Sequence, residues 1–132
     1  MVAKAARVVN GAGTITFSEF GIIDLDQGDD NATGSGAQDA HVDLGSGADT
    51  IDGGAGGDII DGGGGSDVIL GGTGDDTIMM GDGDTVTGGD GGDIFVYTGG
   101  RVTITDFTTG EGENTDAIAL GDYYSTTSLA QI

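Results

Sequence analysis

Aspartate recurs on a fixed spacing through the middle of this chain. Asp49, Asp58, Asp67 and Asp76 stand nine residues apart, and Asp84 and Asp93 continue the series after a one-residue deletion. Carboxylates gathered at regular intervals can hold a hard cation or, in pairs, carry out acid–base hydrolysis. A second column runs two places behind the first: Ile51, Ile60, Ile69, Ile78, Val86 and Phe95. Two columns in phase over six copies separate this region from an acidic glycine-rich linker, which places neither residue type at fixed offsets.

The acid–base reading is the weaker. An aspartate committed to a cation is ionised and a poor proton donor. The basic residues are Lys4, Arg7 and Arg101, all outside the repeats. No motif places a nucleophile beside His41, the single histidine, which reads as a bystander. The chain is therefore expected not to be an enzyme. Metal-free Asx-turns are the bland alternative for the acidic loops.

With 23 acidic and 3 basic residues the formal net charge is −20, which argues against nucleic acid and anionic membrane surfaces as partners. No stretch is long enough to insert directly across a bilayer. A hydrophobic content of 36 % and an aromatic content of 5 % leave little for a broad core. Such a chain tends to disorder unless something cancels its charge, and divalent cations are the obvious candidate. Cysteine is absent, which removes disulfides and thiolate metal sites; bound metal could replace disulfides as the staple of a small domain.

Three segments follow from the patterning. Residues 1–25 carry the strand-like runs Thr14–Phe17 and Gly21–Ile23 and read as N-terminal capping strands. Residues 26–96 hold the repeats, LGSGADTID from Leu44, GGAGGDIID from Gly53, GGGGSDVIL from Gly62, GGTGDDTIM from Gly71, the short MGDGDTVT from Met80, and GGDGGDIFV from Gly88. Residues 97–132 read as a C-terminal capping segment, with strand-like Val102–Thr105 and Ala117–Leu120. The three are expected to form one domain.

Each copy divides into a six-residue glycine-rich loop and a three-residue strand. Two copies make one coil, with a strand on each side and a loop at each end. The Ile/Val/Phe column then faces a thin interior. Ile59, Val68, Leu70, Met79, Ile94 and Val96 face outward as a moderate apolar stripe, a contact face for a neighbouring domain if it is more than β-propensity. The expected fold is all-β, a right-handed parallel β-roll with two nonapeptide repeats per coil and short capping strands at both ends. Alternate aspartates should meet across coils: Asp49 with Asp67, Asp67 with Asp84, Asp58 with Asp76, Asp76 with Asp93, and at a further level Asp30 with Asp49 and Asp39 with Asp58. Two carboxylates plus loop carbonyls suit Ca²⁺, which takes six to eight oxygens, better than Mg²⁺. Zinc or copper would call for His or Cys ligands.

The copies GGAGGDIID, GGGGSDVIL and GGTGDDTIM resemble the nonapeptide GGxGxDxUx of RTX (repeats-in-toxin) proteins. The tail, GGDIFVYTGG followed by ITDFTTGEG and DAIAL, is similar to the segment after the repeats in serralysin-type proteases and alginate epimerase repeat modules, where a strand and the Asp-Phe turn close the roll. The resemblance implies that the sixth-position aspartates bridge ions while carbonyls of the loop residues complete the shell. Carried over, it implicates Asp49, Asp58, Asp67, Asp76 and Asp93, with Asp30 and Asp84 in less regular copies. The carbonyls are those of Gly45, Gly47, Gly54, Gly56, Gly63, Gly65, Gly72 and Gly74. The number of Ca²⁺ ions expected is about four to six. The family is typically exported unfolded by type I secretion and folds in external calcium, which implies an extracellular or cell-surface location. The first functional expectation is thus calcium binding that drives folding of a secreted domain. The alternative is a calcium-stabilised carbohydrate-binding or adhesion module of a larger extracellular protein, with a polysaccharide or neighbouring domain as partner.

Overall fold

A computed structural model describes residues 4–7, 14–17, 21–25, 27–34 and 40–120. Every regular element among these residues is a strand. Odd-numbered strands form one sheet and even-numbered strands the other, as successive half-coils demand. The odd sheet stacks β1 (Lys4–Arg7), β3 (Gly21–Asp24), β5 (Ala40–Asp43), β7 (Ile59–Asp61), β9 (Thr77–Met80), β11 (Ile94–Tyr97) and β13 (Ala117–Leu120). The even sheet stacks β2 (Thr14–Phe17), β4 (Asn31–Gly34), β6 (Thr50–Asp52), β8 (Val68–Thr73), β10 (Thr85–Asp90) and β12 (Thr103–Ile104). All pairings are parallel, so the chain forms the expected parallel β-roll, and both sheets run unbroken from the first described strand to the last.

Register follows the repeat. Ile51 lies opposite Ile69, and Ile60 opposite Ile78. Side chains alternate across a strand, so one apolar residue per copy enters the interior. Ile51, Ile60, Ile69, Ile78, Val86 and Phe95 are all buried, together with Leu44 and Met80 at the first position of their copies and Leu25 at the matching place one coil before Leu44. That last group lay beyond the strand boundaries read from sequence. Met80 is the last residue of β9, and the amides of Leu25 and Leu44 carry the ladder on to the carbonyls of Asp43 and Asp61, so the first position faces inward as well.

The outward apolar residues do not form one stripe. Ile59, Met79, Ile94 and Val96 lie on the odd sheet, and Val68 and Leu70 on the even sheet. A nine-residue step alternates sheets, so residues adjacent in the repeat alignment part company in space. On the odd sheet Asp43 and Asp61 sit side by side, and Asp61 adjoins Met79, so the outer face passes from acidic to apolar along the roll.

Candidate metal centre

Each sixth-position aspartate lies two residues before an interior apolar residue and so points to the same side, into the roll where loop meets strand. Asp49, Asp58, Asp67, Asp76 and Asp93 are each 1 % exposed, with Asp84 at 2 % and Asp30 at 3 %. Burying carboxylates in this number is unfavourable unless each is hydrogen-bonded and charge-compensated. Half of that requirement is met by the backbone. On one loop edge the amide of Asp30 donates to Asp49 Oδ1 at 2.8 Å, that of Asp49 to Asp67 Oδ1 at 2.9 Å, and that of Asp67 to Asp84 Oδ1 at 3.0 Å. On the other edge Ala40 donates to Asp58 Oδ1 at 2.8 Å, Asp58 to Asp76 at 2.7 Å, and Asp76 to Asp93 at 2.9 Å. The alternate aspartates paired by the sequence argument are thus neighbours one coil apart. Asp39 lies outside the described residues.

The second oxygens differ. Oδ2 of Asp49, Asp67, Asp76 and Asp93 is fully buried with no hydrogen-bond donor. Native interiors rarely leave polar atoms in this state without a ligand, ion or water to complete them. The space beside these atoms is kept by glycine. A Cβ on Gly71 would collide with Asp76 Oδ2, one on Gly88 with Asp93 Oδ2, and one on Gly62 would stand 3.3 Å from Asp67 Oδ2. Burial pushes the Asp67 carboxyl up to about 6 and Asp76 up to about 7. The amides of Asp49 and Asp58 oppose the shifts, while Asp84 and Asp49 add to the first and Asp58 and Asp93 to the second. Asp49 and Asp93 are raised for the same leading reason, burial. These four carboxyls, Asp49, Asp67, Asp76 and Asp93, therefore resist ionisation on their own, and a cation would relieve them.

The eight candidate glycines, Gly45, Gly47, Gly54, Gly56, Gly63, Gly65, Gly72 and Gly74, all have positive φ. Gly65 shows why no larger residue fits. Its φ is 131°, and a Cβ there would overlap the carbonyl oxygen of Gly47 one coil away. Gly45 and Gly54 each spend one carbonyl lone pair on the loop ladder, accepting from Gly64 and Thr73 at 2.9 Å. A carbonyl retains a second lone pair for another partner. Among the described residues no group of three or more His, Cys, Asp or Glu side chains is placed to hold a metal. A cation here would take two carboxylates and fill its shell with carbonyls. That donor set is all oxygen and suits a large, flexible-geometry ion such as Ca²⁺.

Comparison with known proteins agrees with this donor set. Residues 43–78 match the family model for the RTX calcium-binding nonapeptide repeat, in four copies. This segment is an array of RTX calcium-binding repeats. Repeats of this kind bind calcium ions. No curated protein and no solved structure matches the chain.

The aspartate and apolar columns continue beyond the matched residues on the C-terminal side. Asp116 was not singled out by sequence, yet it is buried and accepts the amide of Asp93 at 2.9 Å, as Asp93 does for Asp76. Its signal was the spacing in Asp116-Ala117-Ile118, the same aspartate-to-apolar offset as in the repeats, displaced by a long intervening loop. Asp106 closes the same end, accepting the amides of Gly88 and Gly89 at 2.9 and 2.8 Å. Phe107 beside it packs its ring 5.9 Å from that of Phe95.

Proposed function

We propose that this chain is a calcium-dependent folding module of a secreted RTX-type protein, in which Asp49, Asp58, Asp67, Asp76 and Asp93 each serve ions on successive coils. Asp30 supplies a further carboxylate on its edge. The carbonyls of Gly45, Gly47, Gly54, Gly56, Gly63, Gly65, Gly72 and Gly74 complete the coordination shells. The reading rests above all on one observation: the buried, donorless second oxygens of Asp49, Asp67, Asp76 and Asp93 in a chain of net charge −20.

Energetics support coupling of binding to folding. The interior takes only one or two apolar side chains from each nine-residue copy, while every loop glycine gives up more backbone freedom on ordering than any other residue. Binding free energy released only in the folded state becomes folding free energy. A chain that stays unfolded until it meets external calcium fits export in the unfolded state. The segments 1–25 and 97–132 act as the ends of the roll on this reading.

Far-UV circular dichroism in millimolar calcium and in excess EDTA tests the proposal. Strong β-signal in calcium and its loss in EDTA is the expected result, with magnesium restoring little. Equal β-content in calcium and EDTA would reject it.

A further inference from the structure

Each aspartate ladder ends on a rung that differs from those behind it, and the two ends are built alike. Asp84 offers Oδ1 to the amide of Asp67, as the ladder requires, but its Oδ2 accepts the amide of Gly81 at 2.7 Å. Its own amide returns to the carbonyl of Gly81 at 3.3 Å. Asp116 offers Oδ1 to the amide of Asp93, while its Oδ2 accepts the amide of Thr108 at 2.7 Å. Its own amide returns to the carbonyl of Thr108 at 3.0 Å. Both are reciprocal two-bond clamps between a ladder aspartate and one backbone residue of its own loop.

Loop length builds the clamps. Ladder partners in the regular copies are 18 residues apart, as in Asp49–Asp67 and Asp58–Asp76. The terminal spacings are 17 for Asp67–Asp84 and 23 for Asp93–Asp116. Asp76–Asp93 is also 17 because it spans the same deletion, but the loop from Gly88 to Asp93 keeps its full length whereas that from Met80 to Asp84 is one residue short. One deletion draws Gly81 against Asp84, and one insertion folds Thr108 back onto Asp116. On the first edge the position one coil beyond Asp84 is Val102, identified by Thr103 donating to the Asp84 carbonyl as Thr85 does to that of Asp67. No further carboxylate is there to share an ion.

We infer that Asp84 and Asp116 are metal-independent end caps of the two ladders and not calcium ligands, an inference that rests on the calcium reading of the inner aspartates. An N–H aimed at Oδ2 supplies the hydrogen bond that Asp49, Asp67, Asp76 and Asp93 lack, and its positive end faces the carboxylate oxygen that a cation would otherwise meet. The caps finish each ladder with a carboxylate whose two oxygens are both hydrogen-bonded, so the array of ions stops inside the roll and its last coil closes on protein contacts alone.

The test counts calcium ions per chain by calorimetric titration, with circular dichroism in calcium confirming folding. Asp67→Asn and Asp76→Asn are expected to lose at least one ion each, whereas Asp84→Asn and Asp116→Asn keep the wild-type number. A lower count in either cap variant overturns the inference. Unchanged counts in Asp67→Asn and Asp76→Asn overturn the calcium reading of the inner ladder instead, so the two failures are distinct. Should a cap variant not fold, amide hydrogen exchange on the calcium-loaded wild-type chain decides the matter. Slow exchange at Gly81 and Thr108 supports the clamps, and fast exchange at either refutes them.

Discussion

The amide of Asp58 donates to Oδ1 of Asp76 at 2.7 Å, 18 residues further along the chain. One bond therefore does two things. It sets the stacking register of adjacent coils, and it turns the carboxylate of Asp76 so that its second oxygen lies beside Gly71.

Removing that carboxylate should uncouple folding from calcium. Asp76→Asn keeps the acceptor for the Asp58 amide but loses the charge. The calcium concentration at the folding midpoint is expected to rise by about tenfold or more. Asp52→Asn provides the control, because Asp52 caps the Gly54 amide on the sheet surface at 3.1 Å and is not in the ladder. Its midpoint should stay near wild type in the same circular-dichroism titration.

Gly71→Ala and Gly64→Ala separate steric from conformational demands. Neither glycine has positive φ. A Cβ at Gly71 would press on Asp76 Oδ2 and the Gly88 carbonyl, whereas one at Gly64 meets nothing within 4 Å. Gly71→Ala should destabilise the calcium-loaded roll by about 1–3 kcal/mol. Gly64→Ala should fall within about 0.5 kcal/mol of wild type. Chemical denaturation in saturating calcium measures both, and equal effects would show that the space beside Asp76 has no special role.

The interior column and the outer column should respond differently to truncation. Ile78 is fully buried, while Ile94 on the adjacent strand is 44 % exposed. Ile78→Ala is expected to lose about 2–5 kcal/mol, and Ile94→Ala well under half of that. Comparable losses in thermal unfolding would place Ile94 in a packed interface.

Acidity should act in opposite directions on the metal-free and calcium-bound chains. Burial holds Asp67 and Asp76 at about 6 and about 7 when no metal is bound. Between the ordinary carboxylate value and about 7 the folded chain then binds more protons than the unfolded chain. Stability of the metal-free roll consequently rises as pH falls through that window and is lowest above it. Calcium needs the ionised form, so its binding releases those protons and weakens at low pH. In EDTA, β-signal should be greater at about pH 5 than at about pH 8. In calcium, the midpoint concentration should be higher at about pH 5 than at about pH 8. An unchanged calcium midpoint across this range would mean that Asp67 and Asp76 do not titrate with binding.

The nine-residue phase by itself determined the coil, the interior column and the partners across it. Asp49–Asp67 and Ile60–Ile78 follow from two copies per turn, because a parallel stack leaves identical positions one coil apart as nearest neighbours. Glycine at Gly47 and Gly65 was likewise legible, since the loops turn through backbone conformations that other residues rarely adopt. Tertiary structure decided what phase cannot encode. Leu44 and Met80 proved to be interior because backbone pairing runs past the loop boundary, through the Leu44 amide to the Asp61 carbonyl and through β9 to Met80, a matter of backbone hydrogen bonds rather than residue type. Asp84, Asp93 and Asp116 look alike in sequence, each two residues before an apolar side chain. Yet Asp93 leaves an oxygen without a donor while Asp84 and Asp116 are clamped by Gly81 and Thr108. That difference depends on where a loop of altered length returns its amides, and only the folded backbone sets those positions.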